Sequence, residues 1–193
     1  MTEASSRKIP ATFRRVERST YGYSVAQVDD FMERARAIFE DPENATDLSS
    51  VEVRKVAFDA AKGGYEAAQV DHALDILEDA MARKERDALI SEQGEEAWLG
   101  DVGRLSTLLR QRLYRADGEK FRQPSKVRTQ GYAVTEVDAL CRQIVDYLEH
   151  DHPLSVDDVR RASFAPAKGA EAYEEAQVDA FLDRVVELMA AID

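Results

Sequence analysis

Residues 22–32 read Gly-Tyr-Ser-Val-Ala-Gln-Val-Asp-Asp-Phe-Met, and the chain states this phrase four times. Residues 64–74 read Gly-Tyr-Glu-Ala-Ala-Gln-Val-Asp-His-Ala-Leu, and residues 131–141 read Gly-Tyr-Ala-Val-Thr-Glu-Val-Asp-Ala-Leu-Cys. Residues 172–182, Ala-Tyr-Glu-Glu-Ala-Gln-Val-Asp-Ala-Phe-Leu, give the fourth version, with Ala172 in place of glycine. The shared pattern is Gly-Tyr, three variable residues, Gln or Glu, Val-Asp, then apolar positions.

The phrase reads as the start of a helix. With the N-cap at the residue after Tyr, Gln27, Gln69, Glu136 and Gln177 fall at the third helical position. From there a side chain can reach back to the N-cap amide. Tyr23, Tyr65, Tyr132 and Tyr173 then precede the cap, and Val28, Val70, Val137 and Val178 occupy the fourth helical position. Such a pair is a hydrophobic staple, which fixes the angle at which the chain enters the helix. Asp29, Asp71, Asp138 and Asp179 follow near the first turn, where a negative charge suits the helix dipole. Gly22, Gly64 and Gly131 are read as permitting a turn of positive φ. Only Ser24 is a good cap; Glu66, Ala133 and Glu174 are poor ones.

Working outward, each phrase heads a run of helical periodicity. The first runs over about 25–40, with Val28, Phe31, Ala35 and Ile38 on one face, and Asp41-Pro42-Glu43-Asn44 ends it. The second runs over 67–91 with Val70, Leu74, Leu77 and Met81, the third over 134–149 and the fourth over 175–192. Before phrases two and four lie short helical stretches, 48–58 and 154–164, that open on Leu-Ser. Gly94 breaks the chain, and residues 95–114 are helical again around Trp98, Leu105, Leu109 and Leu113. Residues 1–8 read as a disordered start.

The order is therefore A-B-A-B. Tyr23 and Tyr132 are 109 residues apart, and Tyr65 and Tyr173 are 108 apart, so the chain is read as a tandem duplication of a two-phrase unit. The expected fold is all-α: tandem repeats of short helix, loop and long helix in a bundle with coiled-coil-like pairing. The expected divisions are 9–92 for the first repeat pair, 93–116 for a connecting helical segment and 117–193 for the second pair.

Composition bounds the function. A chain of 193 residues buries roughly 70% of its unfolded surface and needs no metal or disulfide to fold. Apolar residues make up 44% and charged residues 33%, a helix-rich balance. The single Cys141 excludes an internal disulfide framework. The polar N-terminal stretch is read as carrying no signal peptide, and no stretch approaches the length of a membrane span. A net charge of −12 argues against nucleic acid as the partner of the whole surface. Yet residues 104–128 carry eight Lys and Arg against Asp117 and Glu119, and residues 7–18 are also basic. The first stretch could be a solvated face, pair with the chain's own carboxylates, or meet anionic lipid or nucleic acid.

The four phrases, with the Leu-Ser-containing helices before the second and fourth, resemble the N-terminal domain of DivIVA, the bacterial cell-division and polarity scaffold. Leu48 through Leu74 and Leu154 through Leu182 match that domain's whole pattern; copies one and three match its second half. The resemblance implies a non-enzymatic, cytoplasmic scaffold or adaptor. Such a protein would bind protein partners, lie peripherally at the inner face of the membrane, and serve division, polarity or envelope organisation. The family domain pairs two chains, so four copies in one chain are expected to pair internally. It docks on membranes with an exposed aromatic–Arg pair just before Gly-Tyr. Here those positions hold Thr20-Tyr21, Lys62-Gly63, Thr129-Gln130 and Glu171. The nearest substitutes are Tyr21, Phe13-Arg14 and Lys120-Phe121-Arg122, which become the candidate membrane- or partner-binding residues. The family's long C-terminal coiled coil does not follow the fourth phrase, so polymerisation by that route is not expected. The alternative reading is a soluble regulatory protein-binding module that has lost membrane targeting.

Other motifs read as structural. His150-Asp151-His152 before Pro153 is taken as a solvated helix end, and Cys141 as a buried thiol. No phosphate-binding loop, nucleophile elbow or cysteine cluster is present, so no catalytic residue, cofactor or metal is expected.

Overall fold

The computed structural model of the protein describes residues 12–40, 48–126 and 128–192. The expected start, residues 1–8, and the Asp41-Pro42-Glu43-Asn44 stop lie outside the described residues. Contacts divide the chain into two units, Met1–Ala88 and Leu89–Asp193.

The first unit holds β1 (Tyr21–Tyr23), α1 (Val25–Glu40), α2 (Ser50–Lys55), β2 (Ala60–Lys62) and most of α3 (Ala67–Gln93). The second opens with α4 (Glu95–Leu113), then β3 (Gln130–Ala133), α5 (Val134–His150) and α6 (Val156–Arg160). It closes with β4 (Pro166–Lys168), a 3-10 turn over Gly169–Glu171, β5 (Ala172–Tyr173) and α7 (Glu175–Ile192). The four phrase helices start where the cap reading places them. Ser49 and Ser155 cap the short helices, each accepting from the amide three residues on while Glu52 or Asp158 reaches back to the cap amide.

The fold is mostly helical but not all-α. The residues before the first, third and fourth phrase helices are extended and pair in small antiparallel sheets, and Tyr65 before the second makes isolated bridges to Arg15 and Tyr23. β1 pairs with β2 in the register Tyr21↔Lys62, Gly22↔Ala61 and Tyr23↔Ala60. β3 lies between β4 and β5, with Gly131 opposite Ala167 and Tyr132 opposite Tyr173. The expectation of positive φ at the phrase glycines is corrected here. Among the described glycines, positive φ belongs to Gly63, Gly94, Gly118 and Gly169. Gly22, Gly64 and Gly131 are needed for another reason. A Cβ on Gly22 would collide with the Tyr65 carbonyl oxygen, on Gly64 with that of Tyr23, and on Gly131 with that of Tyr173. The phrases come together backbone to backbone, and glycine is the residue that permits it.

The cores follow from the periodicity. In the second unit α5, α6 and α7 close over one continuous cluster that includes Val137, Ile144, Val159, Tyr173, Val178, Val185 and Met189. Leu109 and Leu113 of α4 belong to that cluster, so the C-terminal part of α4 packs into the second unit's core. In the first unit the buried residues form two smaller clusters. One surrounds Phe31, Ala35, Ile38, Val53, Leu77 and Met81, and the other surrounds Phe13, Val28, Tyr65, Val70 and Ala73. Phe58 and Leu74 pack against both.

Candidate functional site

Each phrase helix is capped by a segment that leads into the other phrase of its unit. The amide of Ser24 donates to the Asp59 carbonyl at 2.8 Å, and the Asp59 amide donates to Gln27 Oε1 at 2.7 Å. Glu66 donates to Arg14 O at 2.8 Å, and Arg14 N donates to Gln69 Oε1 at 3.0 Å. The second unit repeats the scheme. Ala133 donates to Ala165 O at 2.9 Å and Ala165 N to Glu136 Oε2 at 2.7 Å. Glu174 donates to Arg122 O at 2.8 Å and Arg122 N to Gln177 Oε1 at 3.0 Å.

The third-position Gln or Glu therefore does not close a capping box on its own N-cap. The N-cap amide already has the lead-in carbonyl as its acceptor, so the side chain takes the lead-in amide instead. One donor and one acceptor of the helix start, the N-cap amide and the side-chain oxygen, are satisfied by a segment distant in sequence. This explains why poor caps such as Ala133 suffice: the cap is supplied in tertiary structure.

The residue before each docked position is phenylalanine. Phe58 meets Tyr23 with ring centroids 5.6 Å apart, and Phe13 meets Tyr65 at 5.4 Å. Phe164 meets Tyr132 at 5.1 Å, and Phe121 meets Tyr173 at 5.2 Å. The tyrosine hydroxyls cross as well. Tyr65 donates to Asp29 at 2.9 Å and Tyr173 to Asp138 at 3.0 Å. Tyr23 is hydrogen-bonded to Asp71 and Tyr132 to Asp179. Burial, and then the facing carboxylate, pushes Tyr23, Tyr65 and Tyr132 above the ordinary phenol range. Tyr173 is pushed up to about 12, chiefly by burial. The repeated Asp, read from sequence as a dipole partner, is thus also the acceptor for the other phrase's tyrosine. Its fixed place after Val in all four copies was the signal. The four phrase valines are at most 1% exposed.

The candidate surface residues divide. Phe13 and Phe121 are 9% and 5% exposed, so neither offers an aromatic side chain to a membrane. The physical reason is the crossing just described: both rings are covered by a phrase tyrosine. Arg14 is exposed, its backbone engaged with the second phrase. Arg122 is exposed and paired with Glu174 at 2.5 Å. Tyr21 is 63% exposed, with Lys62 Nζ 5.7 Å from its ring centre.

Lys120 is 3% exposed and is not a surface cation. Its ammonium donates to Arg115 O at 2.8 Å and Asp117 Oδ1 at 2.6 Å, and lies 3.9 Å from Asp138 Oδ1. Asp138, itself 2% exposed, also accepts from the Gly118 amide at 2.8 Å. The hydrogen bond from Lys120 is the largest cause holding the Asp117 carboxyl below the usual range. Cys141 is buried nearby, and burial pushes its thiol up to about 12, which removes it as a nucleophile at neutral pH. At the end of α5, Asp151 takes the left-handed conformation, and His150 and His152 both face Asp146. Among the described residues no three His, Cys, Asp or Glu side chains are grouped to hold a metal, and no helix is long and apolar enough to cross a membrane.

What the sequence did not single out is a groove between α4 and α7, of about 370 Å³. Leu109 and Phe181 form its buried floor, and Ala176 and Ala180 line it without filling it. Leu108, 57% exposed, stands beside Arg112, Arg115 and Arg184 around it. The basic stretch is otherwise largely engaged by carboxylates. Arg104 pairs with Asp101, Arg110 and Tyr114 with Glu149, and Arg122 with Glu174. No family model, curated protein or solved structure matches the chain.

Proposed function

We propose that this chain is a non-enzymatic, protein-binding adaptor of the DivIVA type, built as two fused dimer-like repeat pairs with coiled-coil-like helix pairing. Its role is in bacterial cell division, polarity or envelope organisation, in the cytoplasm. The observation that carries the reading is the reciprocal docking of lead-in and phrase. The pairing that the resemblance assigns to two chains is met here by two phrases of one chain. The aromatic–Arg segments that could have touched lipid are engaged in that pairing, which favours protein partners over membrane insertion. Nucleic acid is disfavoured by the charge of −12.

Two measurements test it. In sedimentation with phosphatidylglycerol vesicles at low salt, the protein stays in the supernatant; co-sedimentation returns the membrane-docking reading. In bacterial cells, a fluorescent fusion concentrates at division sites or poles. A uniformly diffuse fusion overturns the adaptor reading.

A further inference from the structure

We infer that the groove between α4 and α7 is the docking site for an acidic amphipathic helix of a partner protein. This rests on the adaptor reading and names the chemistry of the partner. Three features carry it. First, the groove is apolar at its base and open at its edge: Leu109 and Phe181 are buried while Leu108 is 57% exposed and Ala176 and Ala180 leave room above them. A helix presenting apolar side chains at i, i+3 or i+4 and i+7 fits such a surface.

Second, the rim is cationic in a chain with 38 acidic and 26 basic side chains. Arg115 has no carboxylate partner among the described residues. Arg112 is held by the Lys120 carbonyl at 2.9 Å and lies 5.3 Å from the Phe121 ring centre, again with no described carboxylate. Arg184 is paired only within its own helix, with Glu187 at 2.6 Å. In a strongly acidic protein, two neighbouring guanidiniums left without an internal counter-charge beside an apolar groove are complementary to an external acid.

Third, one of these arginines is already fixed. Arg112 is anchored by a backbone carbonyl and an aromatic face, so binding would order little that is not ordered. Burial, followed by the neighbouring Arg115, lowers the Arg112 guanidinium below its ordinary range, the electrostatic cost that an incoming carboxylate would relieve.

The test uses the full chain and a fluorescein-labelled helical peptide with leucines at i, i+4 and i+7 and glutamates elsewhere. Fluorescence anisotropy is expected to saturate with this peptide and to weaken steeply with added salt. The same peptide with lysine for each glutamate is expected not to bind. Arg115→Glu combined with Arg184→Glu is expected to weaken binding about tenfold or more, a change of about 1.4 kcal/mol per decade. Ala180→Trp, which fills the groove, should do the same while the melting temperature holds. The inference is overturned if the lysine peptide binds as tightly. It is also overturned if both variants stay within about twofold of the parent, the smallest change read as real, or if anionic vesicles bind this face and the acidic peptide does not. In cells, a fusion of the double-arginine variant that keeps the parent's localised pattern overturns the groove and leaves the adaptor reading standing. A diffuse parent fusion overturns the adaptor reading, and the peptide arm still decides the groove.

Discussion

The two units use the same crossed pairing but bury their charges in different places. In the second unit the charge lies under the crossing: Lys120, Asp138 and the Tyr173 hydroxyl form a network whose members are at most 3% exposed. In the first unit the corresponding Asp29 is exposed, and Thr12 stands where Lys120 would. There the buried pair lies farther along α3, where Arg54 Nη2 meets Glu78 Oε1 at 2.7 Å. Thirteen residues beyond the phrase tyrosine, Glu78 has Val186 as its counterpart in the second unit. Position in a repeated phrase thus fixes the hydrogen-bonding partner, but not how deeply it is buried. Depth is set by the neighbours, and depth decides the energetic weight of the same bond.

The sharpest way to break this comparison is to remove the two equivalent carboxylates. Asp138→Ala should cost about 3–5 kcal/mol, because it strips one partner from a buried charged group. Asp29→Ala should cost less than about 1 kcal/mol, the scale of an exposed hydrogen bond. Urea unfolding followed by circular dichroism measures both, and Trp98, the single tryptophan, reports on the second unit. Equal costs would mean that the two crossings are energetically the same.

Next in size is the hydroxyl itself. Tyr173→Phe leaves Asp138 and the Lys120 amide short of a buried partner and should cost about 1–3 kcal/mol. Tyr65→Phe faces the exposed Asp29 and should fall below that range in the same unfolding assay.

The glycine position sharpens the comparison from the other side. The second unit carries Ala172, 0% exposed, where the first carries Gly64. Sequence alone suggests that alanine is acceptable at both. The geometry says otherwise: Gly64→Ala would drive Cβ onto the Tyr23 carbonyl oxygen, with Ala61 O at 2.9 Å. It should lower stability by about 1–3 kcal/mol, the cost of forced overpacking. A melting temperature unchanged by Gly64→Ala would show that the first pair can relax to the geometry of the second.

The smallest effects belong to the short-helix caps, which the units share. Ser49→Ala and Ser155→Ala should each cost about 1 kcal/mol. Hydrogen bonds from the Ser49 backbone hold Glu52 below the ordinary carboxylate range, and those from the Ser155 side chain, then its backbone, do the same for Asp158. A lowered carboxyl value stabilises the folded state above the ordinary range and loses that contribution as pH falls through the folded value. Stability measured from pH 7 downward should therefore fall less steeply than in the parent for Ser155→Ala, which removes the leading hydrogen bond to Asp158, and change less for Ser49→Ala, which keeps the Ser49 amide on Glu52. Parallel curves would remove this source of acid sensitivity.

Much of the fold was legible because it is written in local rules. The bounds of α1, α5 and α7 follow from a period of 3.6 and from the phrase at their start. A serine cap on each short helix follows from serine standing ahead of an acidic first turn, with Ser49 and Ser50 both open for the first; the structure selects Ser49 and closes both capping boxes. The candidate contact residues were less legible. Phe13-Arg14 and Phe121-Arg122 looked like displaced surface pairs because nothing local to them marks a partner. Their partners, Tyr65 and Tyr173, lie more than fifty residues downstream, and a single chain read in order gives no distance between them.

The sequence by itself determined where the helices start, which faces are apolar, and that one phrase recurs with an invariant Tyr, Val and Asp. These are properties of nearest neighbours along the chain, where spacing translates directly into direction. Only the tertiary structure decided which lead-in caps which helix, why three glycines are required by close backbone approach, that Lys120 is buried while Arg115 is not, and that α4 and α7 leave a cationic groove. Those outcomes depend on contacts across many residues, where the chain's order carries no distance and burial sets the strength of every polar group.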